Sequence, residues 1–175
     1  MSTPTPDPTP DLVTAAYREV SSLAAALITV GLHGADAVSP PGWPEPWIFK
    51  WEPRRSVEGT GLASVVVTKG RTWAGANAHN TLRFPSIQIE VYADQARDTA
   101  EAPAFRDAQS RAEDVWAVID PVLHRPDGGS LLWGDGDGLL RVVSSKRSSG
   151  EPDLAAVPET DGVWRLLMSY AVELG

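Results

Sequence analysis

Two different periodicities stand back to back in PSIQIEVYADQARDTAEAPAFRDAQSRAEDVWAVIDPVL, residues 85–123, and few folds accommodate both. Ile87, Ile89, Val91 and Ala93 alternate with Gln88, Glu90, Tyr92 and Asp94. A period of two sends the first set to one sheet face and the second to the other, which predicts a half-buried strand. Downstream, Phe105, Ala108, Ala112, Val115, Trp116, Ile119, Val122 and Leu123 recur at helical steps, opposite Arg106, Asp107, Arg111, Glu113 and Asp114. That spacing predicts a helix over 105–120 with one apolar side. Asp120–Pro121 predicts a re-cap, with Asp as N-cap and Pro opening one further turn. Such a pair of elements calls for a sheet with helices packed against it.

The flanking segments extend the pattern. Val13, Ala16, Tyr17, Val20, Leu23, Ala24, Leu27 and Ile28 form one apolar stripe, a helix over about 12–30 that Gly31 and Gly34 stop. VSPPGWPEPWIFKWEP predicts a rigid loop before a short strand at Trp47–Trp51. GLASVVVTKG is β-branched and bounded by glycines, hence a strand. Residues 70–84 are rich in small and polar side chains and predict either a surface loop or an extended hairpin arm. SLLWGDGDGLLRVVSSKR predicts two strands around a Gly-Asp turn. A polar loop then leads to a last strand, GVWRLLMSYAVEL, with Trp164, Leu166, Met168, Tyr170, Val172 and Leu174 on one face. Runs of strands with two interposed helices predict an α+β fold, a mostly antiparallel sheet with both helices on one face. Residues 1–11, which alternate Pro with Ser, Thr and Asp, predict an extended arm ahead of a single domain over 12–175. The arm is expected to lie against a neighbouring subunit or partner.

Composition narrows the function classes. The 175 residues carry a net charge of −8, and contain no Cys and seven Trp. An acidic chain is poorly suited to gripping phosphates, and the basic pairs Arg54–Arg55 and Lys146–Arg147 sit in Ser/Gly-containing stretches that favour solvated loop charge. Without Cys there is neither a disulfide framework nor a thiolate zinc site. No apolar run approaches the roughly 18 residues of a membrane span. The opening MSTPTPDPTPD lacks the basic start and apolar centre of a signal peptide, so a chain free of membranes is expected.

Catalytic and metal chemistry is equally thin. His33, His79 and His124 stand apart with no ligand spacing. Asp135 and Asp137 in GDGDG open like a calcium loop, but Lys146 stands where the bidentate Glu belongs, so a tight hairpin turn is the better reading. No serine has a nucleophile-elbow context, and no acid–base pair emerges. The expectation is no cofactor, no metal and no enzyme. What remains are interface candidates: Trp43, Trp47, Trp51 and Trp73, Arg54 and Arg55, and Glu90 with Asp94 on the polar strand face. Trp43, Trp47 and Trp51 also allow a sugar platform, a lesser reading than a core edge or an interface.

The N-terminal amphipathic helix, the PSIQIEVYAD strand running into the RAEDVWAVID helix, and the closing VWRLLMSYAVEL strand together resemble the tail terminator, or tail completion, proteins of long-tailed phages, especially those of actinobacteria. The resemblance covers about residues 12–175 and rests on apolar patterns; the arm and segment 70–84 lie outside it. It implies a ring, usually a hexamer, that caps the finished tail tube and joins the head's connector or stopper protein. It also implies a place in the virion's tail or neck after assembly in the host cytoplasm, with DNA passing through an acidic lumen without tight binding. The alternatives are another neck component, a head–tail connector or stopper, and, from a different class, a small α+β ligand-binding domain.

Overall fold

The computed structural model describes residues 11–34, 46–70, 73–74, 83–95, 107–127, 131–135 and 138–175. In chain order the elements are α1 (Leu12–Ser21), α2 (Ala24–Thr29), β1 (Ile48–Lys50), β2 (Ala63–Lys69), β3 (Trp73–Ala74), β4 (Arg83–Phe84), β5 (Ser86–Asp94), α3 (Ala108–Leu123), β6 (Leu131–Asp135), β7 (Gly138–Arg147), β8 (Asp153–Ala156) and β9 (Val163–Leu174). The fold is α+β. The main sheet runs β1-β2-β5-β9-β7-β6, and β8 also pairs with β9. Every pairing is antiparallel except β1 with β2.

The strand and helix that open the sequence argument occupy the middle of this sheet. In β5, Ile87, Ile89, Val91 and Ala93 are fully buried. Across the ladder Ile89 meets Met168 and Val91 meets Leu166 of β9. Ala112, Val115, Ile119 and Leu123 of α3 join the same core, as do Val13, Ala16 and Val20 of α1. The apolar side chains of both helices thus meet the apolar sheet face, as a one-sided pattern requires. Trp116 packs at the rim of that core, half-buried.

The strongly curved sheet brings both of its end strands to α1. Glu19 Oε1 accepts from the Gly134 N–H of β6 at 2.8 Å, while Lys50 Nζ of β1 donates to Thr14 Oγ1 at 3.2 Å. The helix therefore fills the gap between the two ends of an open half-barrel.

Several expectations are corrected. The helix expected over 12–30 is two helices, because Ser22 Oγ donates to Glu19 O at 2.6 Å and competes with the backbone ladder at the break. The second helix starts at Ala108 behind the N-cap Asp107, whose Oδ1 accepts from Ser110 N at 2.7 Å. It runs through Pro121 without a re-cap. The Asp120 carboxylate cannot cap, since it accepts from Tyr170 Oη at 2.7 Å. Segment 70–84 carries the hairpin alternative at its base, where β3 pairs antiparallel with β4. The expected polar loop before the last strand contains β8. A second, smaller core of Trp47, Phe49, Val57, Val66 and Val163 covers part of the sheet face away from the helices. The strands around the Gly-Asp turn form the expected hairpin, with Asp135 opposite Gly138. Residues 1–10 lie outside the described residues.

Candidate interaction surface

The sheet face turned away from the helices is built by the even-numbered residues of β5 and their partners. Gln88, Glu90 and Tyr92 stand opposite Ser169, Leu167 and Arg165 of β9. Glu90 gathers its neighbours along the strand, accepting from Gln88 Nε2 at 3.1 Å and from Tyr92 Oη at 3.2 Å. Burial raises the Tyr92 pKa above its ordinary value, and the Glu90 carboxylate beside it adds to the rise while Arg165 opposes it. The phenol stays neutral and donates. All of these side chains are half-buried, and hydrogen bonds along β5 tie its polar ones together.

Tyr92 continues into a cavity of about 310 Å³, where Arg54, Arg55, Ser56 and Thr160 meet Val57, Val157 and Val163. Arg55 also lies over the Trp47 ring, its Cζ 5.9 Å from the centroid. The structure thus brings Arg54 and Arg55 next to the Glu90 face.

Other candidates fall elsewhere. Trp47 is a core residue, 3% exposed and stacked on His33 with centroids 4.0 Å apart. Asp94 is buried too: its Oδ2 accepts from Gly61 N at 2.9 Å and ties the turn ahead of β2 to the end of β5. The expectation of a solvent-facing or inter-subunit Glu90/Asp94 pair is therefore corrected for Asp94, because the covering turn internalises the last residue of the polar face. Trp51 is half exposed with φ 77, and lines a separate cavity of about 250 Å³ with Leu12, Lys69 and Pro85. Trp73 lies in the short β3; Trp43 and His79 lie outside the described residues.

One half-buried polar chain, centred on the buried Tyr170, had no sequence signal of its own. Trp116 Nε1 donates to Tyr170 Oη at 3.0 Å, Tyr170 Oη donates to Asp120 Oδ1, and Arg147 Nε stands 3.6 Å from the same oxygen. Burial, then the Asp120 carboxylate, push the Tyr170 pKa far up, so its proton stays. The group fastens α3 to β9. Its members come from residues 116 to 170, a spacing that no motif spans. Also unanticipated were the exposed Leu132 and Leu139; in sequence they look like any strand leucine.

Among the described residues no three His, Asp or Glu side chains come together as a metal site, and no helix is long and apolar enough to cross a membrane. No protein-family model and no curated protein matches the chain. Among solved structures it is similar to a chain in the virion of a native gene transfer agent particle, at 16% identity over 93% of each chain with a TM-score of 0.49. That likeness is too distant to transfer a role.

Proposed function

We propose that this chain is a structural component of a phage-like virion and, more finely, a tail terminator whose ring caps the tail tube and receives the head's connector or stopper protein. The observation that carries the reading is where the three resembling motifs fall. The PSIQIEVYAD and VWRLLMSYAVEL strands are adjacent central strands, and the RAEDVWAVID helix packs on them. The resemblance therefore lies in the framework of the fold rather than in scattered surface patterns. The polar face of Gln88, Glu90, Tyr92 and Arg165, the Arg54–Arg55 cavity and Trp51 are the surfaces this role would use. The net charge of −8 suits a ring that DNA passes without being held.

Electron microscopy of a lysate from phage lacking the gene tests the proposal. Tails of irregular length, or tails that fail to join heads because their ends are uncapped, are the expected outcome. Uniform, head-attached tails would overturn it. Normal free tails beside heads unable to accept them would instead identify another neck component.

A further inference from the structure

We infer that the Trp51 cavity is a binding site for a polyproline segment, and that its occupant is the stretch from Thr3 to Asp7 of another copy of this chain. The inference takes the neighbouring copy from the ring reading above and adds to it a site and a ligand chemistry. β1 gives way to Trp51, whose N–H donates to Val67 O at 2.8 Å while its backbone takes φ 77. Left-handed backbone costs a bulky residue free energy that Gly or Asn would avoid, and strained positions of this kind cluster where ligands are held. Here the residue so held is an indole left 49% exposed, lining a cavity of about 250 Å³ with Leu12, Val13 and Pro85. Lys69 and Asp11 line it too, one charge of each sign, so apolar contact rather than charge selects what enters. An aromatic ring beside apolar walls is a surface on which polyproline segments dock, because the preformed extended helix loses little entropy on binding.

The chain carries such a ligand. Residues 3–10 read TPTPDPTP, with prolines at 4, 6, 8 and 10. Each proline fixes its own φ and confines the residue before it to extended backbone, so Thr3, Thr5, Asp7 and Thr9 are restrained as well. A type I turn would put a residue that precedes proline in the helical region, and a type II turn would need a positive φ, so reversal is disfavoured throughout. The segment joins the fold at Asp11, which itself lines the cavity. At about 3.1 Å per residue, about two residues next to Asp11 suffice to pass a cavity of that size, whereas Pro6 and Pro4 lie about 15 and about 22 Å from their own root. The distal prolines therefore reach beyond the cavity of their own copy and are placed to enter that of a neighbour.

A labelled peptide of residues 1–10, titrated into the full chain and read by fluorescence anisotropy, tests the site. Saturable binding is expected, weakened about tenfold in Trp51→Asn, which suits the left-handed turn and removes the indole. A peptide carrying Pro4→Ala and Pro6→Ala should lose binding to the same extent, while one carrying Pro8→Ala and Pro10→Ala should keep it. Absence of saturable binding, or binding that Trp51→Asn leaves unchanged, would overturn the site; melting curves check that the variant is folded. The occupant is tested in the cysteine-free chain by Thr5→Cys together with Lys69→Cys, oxidised mildly in concentrated solution and on isolated tail tubes. Disulfides between copies are expected, and neither substitution alone should cross-link. A disulfide closed within one copy, or a dimer of Thr5→Cys alone, would overturn the occupant and leave the ring reading standing. So would association of the chain without such disulfides. An unaltered chain that stays monomeric by light scattering in both settings would overturn the ring reading and the second-copy occupant together.

Discussion

Tyr170 illustrates what a single side chain decides here. Its ring is fully buried on the core face of β9, and its hydroxyl both donates to Asp120 and accepts from Trp116. Tyr170→Phe keeps the ring and removes the oxygen, leaving the Trp116 N–H without its acceptor and Asp120 without its donor. Orphaned partners of this kind cost about 1–3 kcal/mol, which thermal denaturation at neutral pH should show. The pH dependence follows from the direction of the shift. The folded state holds the Tyr170 proton more tightly than the unfolded chain, whose phenol titrates near 10.0. The stabilisation is thus fully present below pH 10 and is lost as pH rises above it, at up to about 1.4 kcal/mol per pH unit. The stability gap between the unaltered chain and Tyr170→Phe should therefore narrow above pH 10. A constant gap through pH 11 would mean that the hydroxyl is not the titrating group.

At the scale of elements, α3 tolerates an interior proline for a local reason. Pro121 lies in the last turn with its ring exposed, and the His124 N–H still reaches Asp120 O at 2.7 Å. The missing hydrogen bond is the one Ala117 O would accept. Pro121→Ala restores that donor in a helical position, so a gain of about 1 kcal/mol is expected, read as a raised melting temperature. A loss would show that the proline's restriction of the unfolded chain outweighs the restored bond. Elements of this kind were legible to the degree that periodicity covers them. β5 and β9 announced themselves by strict alternation, and α3 by its apolar side, because each buries one face against one core. β8 was hidden because DLAA has no β-branched residue and buries little. The break between α1 and α2 was hidden because the apolar stripe runs straight across it; only the Ser22 hydroxyl marks it. The candidate surface was legible in part. Glu90, Arg54 and Arg55 could be named from their sequence neighbourhoods, whereas Trp47 and Asp94 were internalised by residues 47–62, whose folding over the sheet no periodicity announces.

For the whole molecule, the entrance to α1 joins the fold to the chain's first ten residues. Asp11, Leu12 and Val13 face Trp51, Lys69 and Pro85 across a cavity of about 250 Å³, and the half-exposed indole of Trp51 stands at that entrance. Residues 2–10, STPTPDPTP, offer four prolines, one acid and no large apolar side chain. Such a segment lacks the apolar area to offset ordering entropy of about 1–2 kcal/mol per residue, although its prolines reduce that cost. The half-barrel core is already filled by α1 and α3, so these residues have little to add to the stability of an isolated copy. Between copies the balance differs, because a proline-rich strand laid over an exposed tryptophan gains contact at low entropic cost. Deleting residues 2–10 should leave the melting temperature of the dilute protein nearly unchanged while weakening assembly, measured by light scattering. A stability loss above about 1 kcal/mol with assembly intact would instead assign the segment to its own copy, closed over the Trp51 cavity.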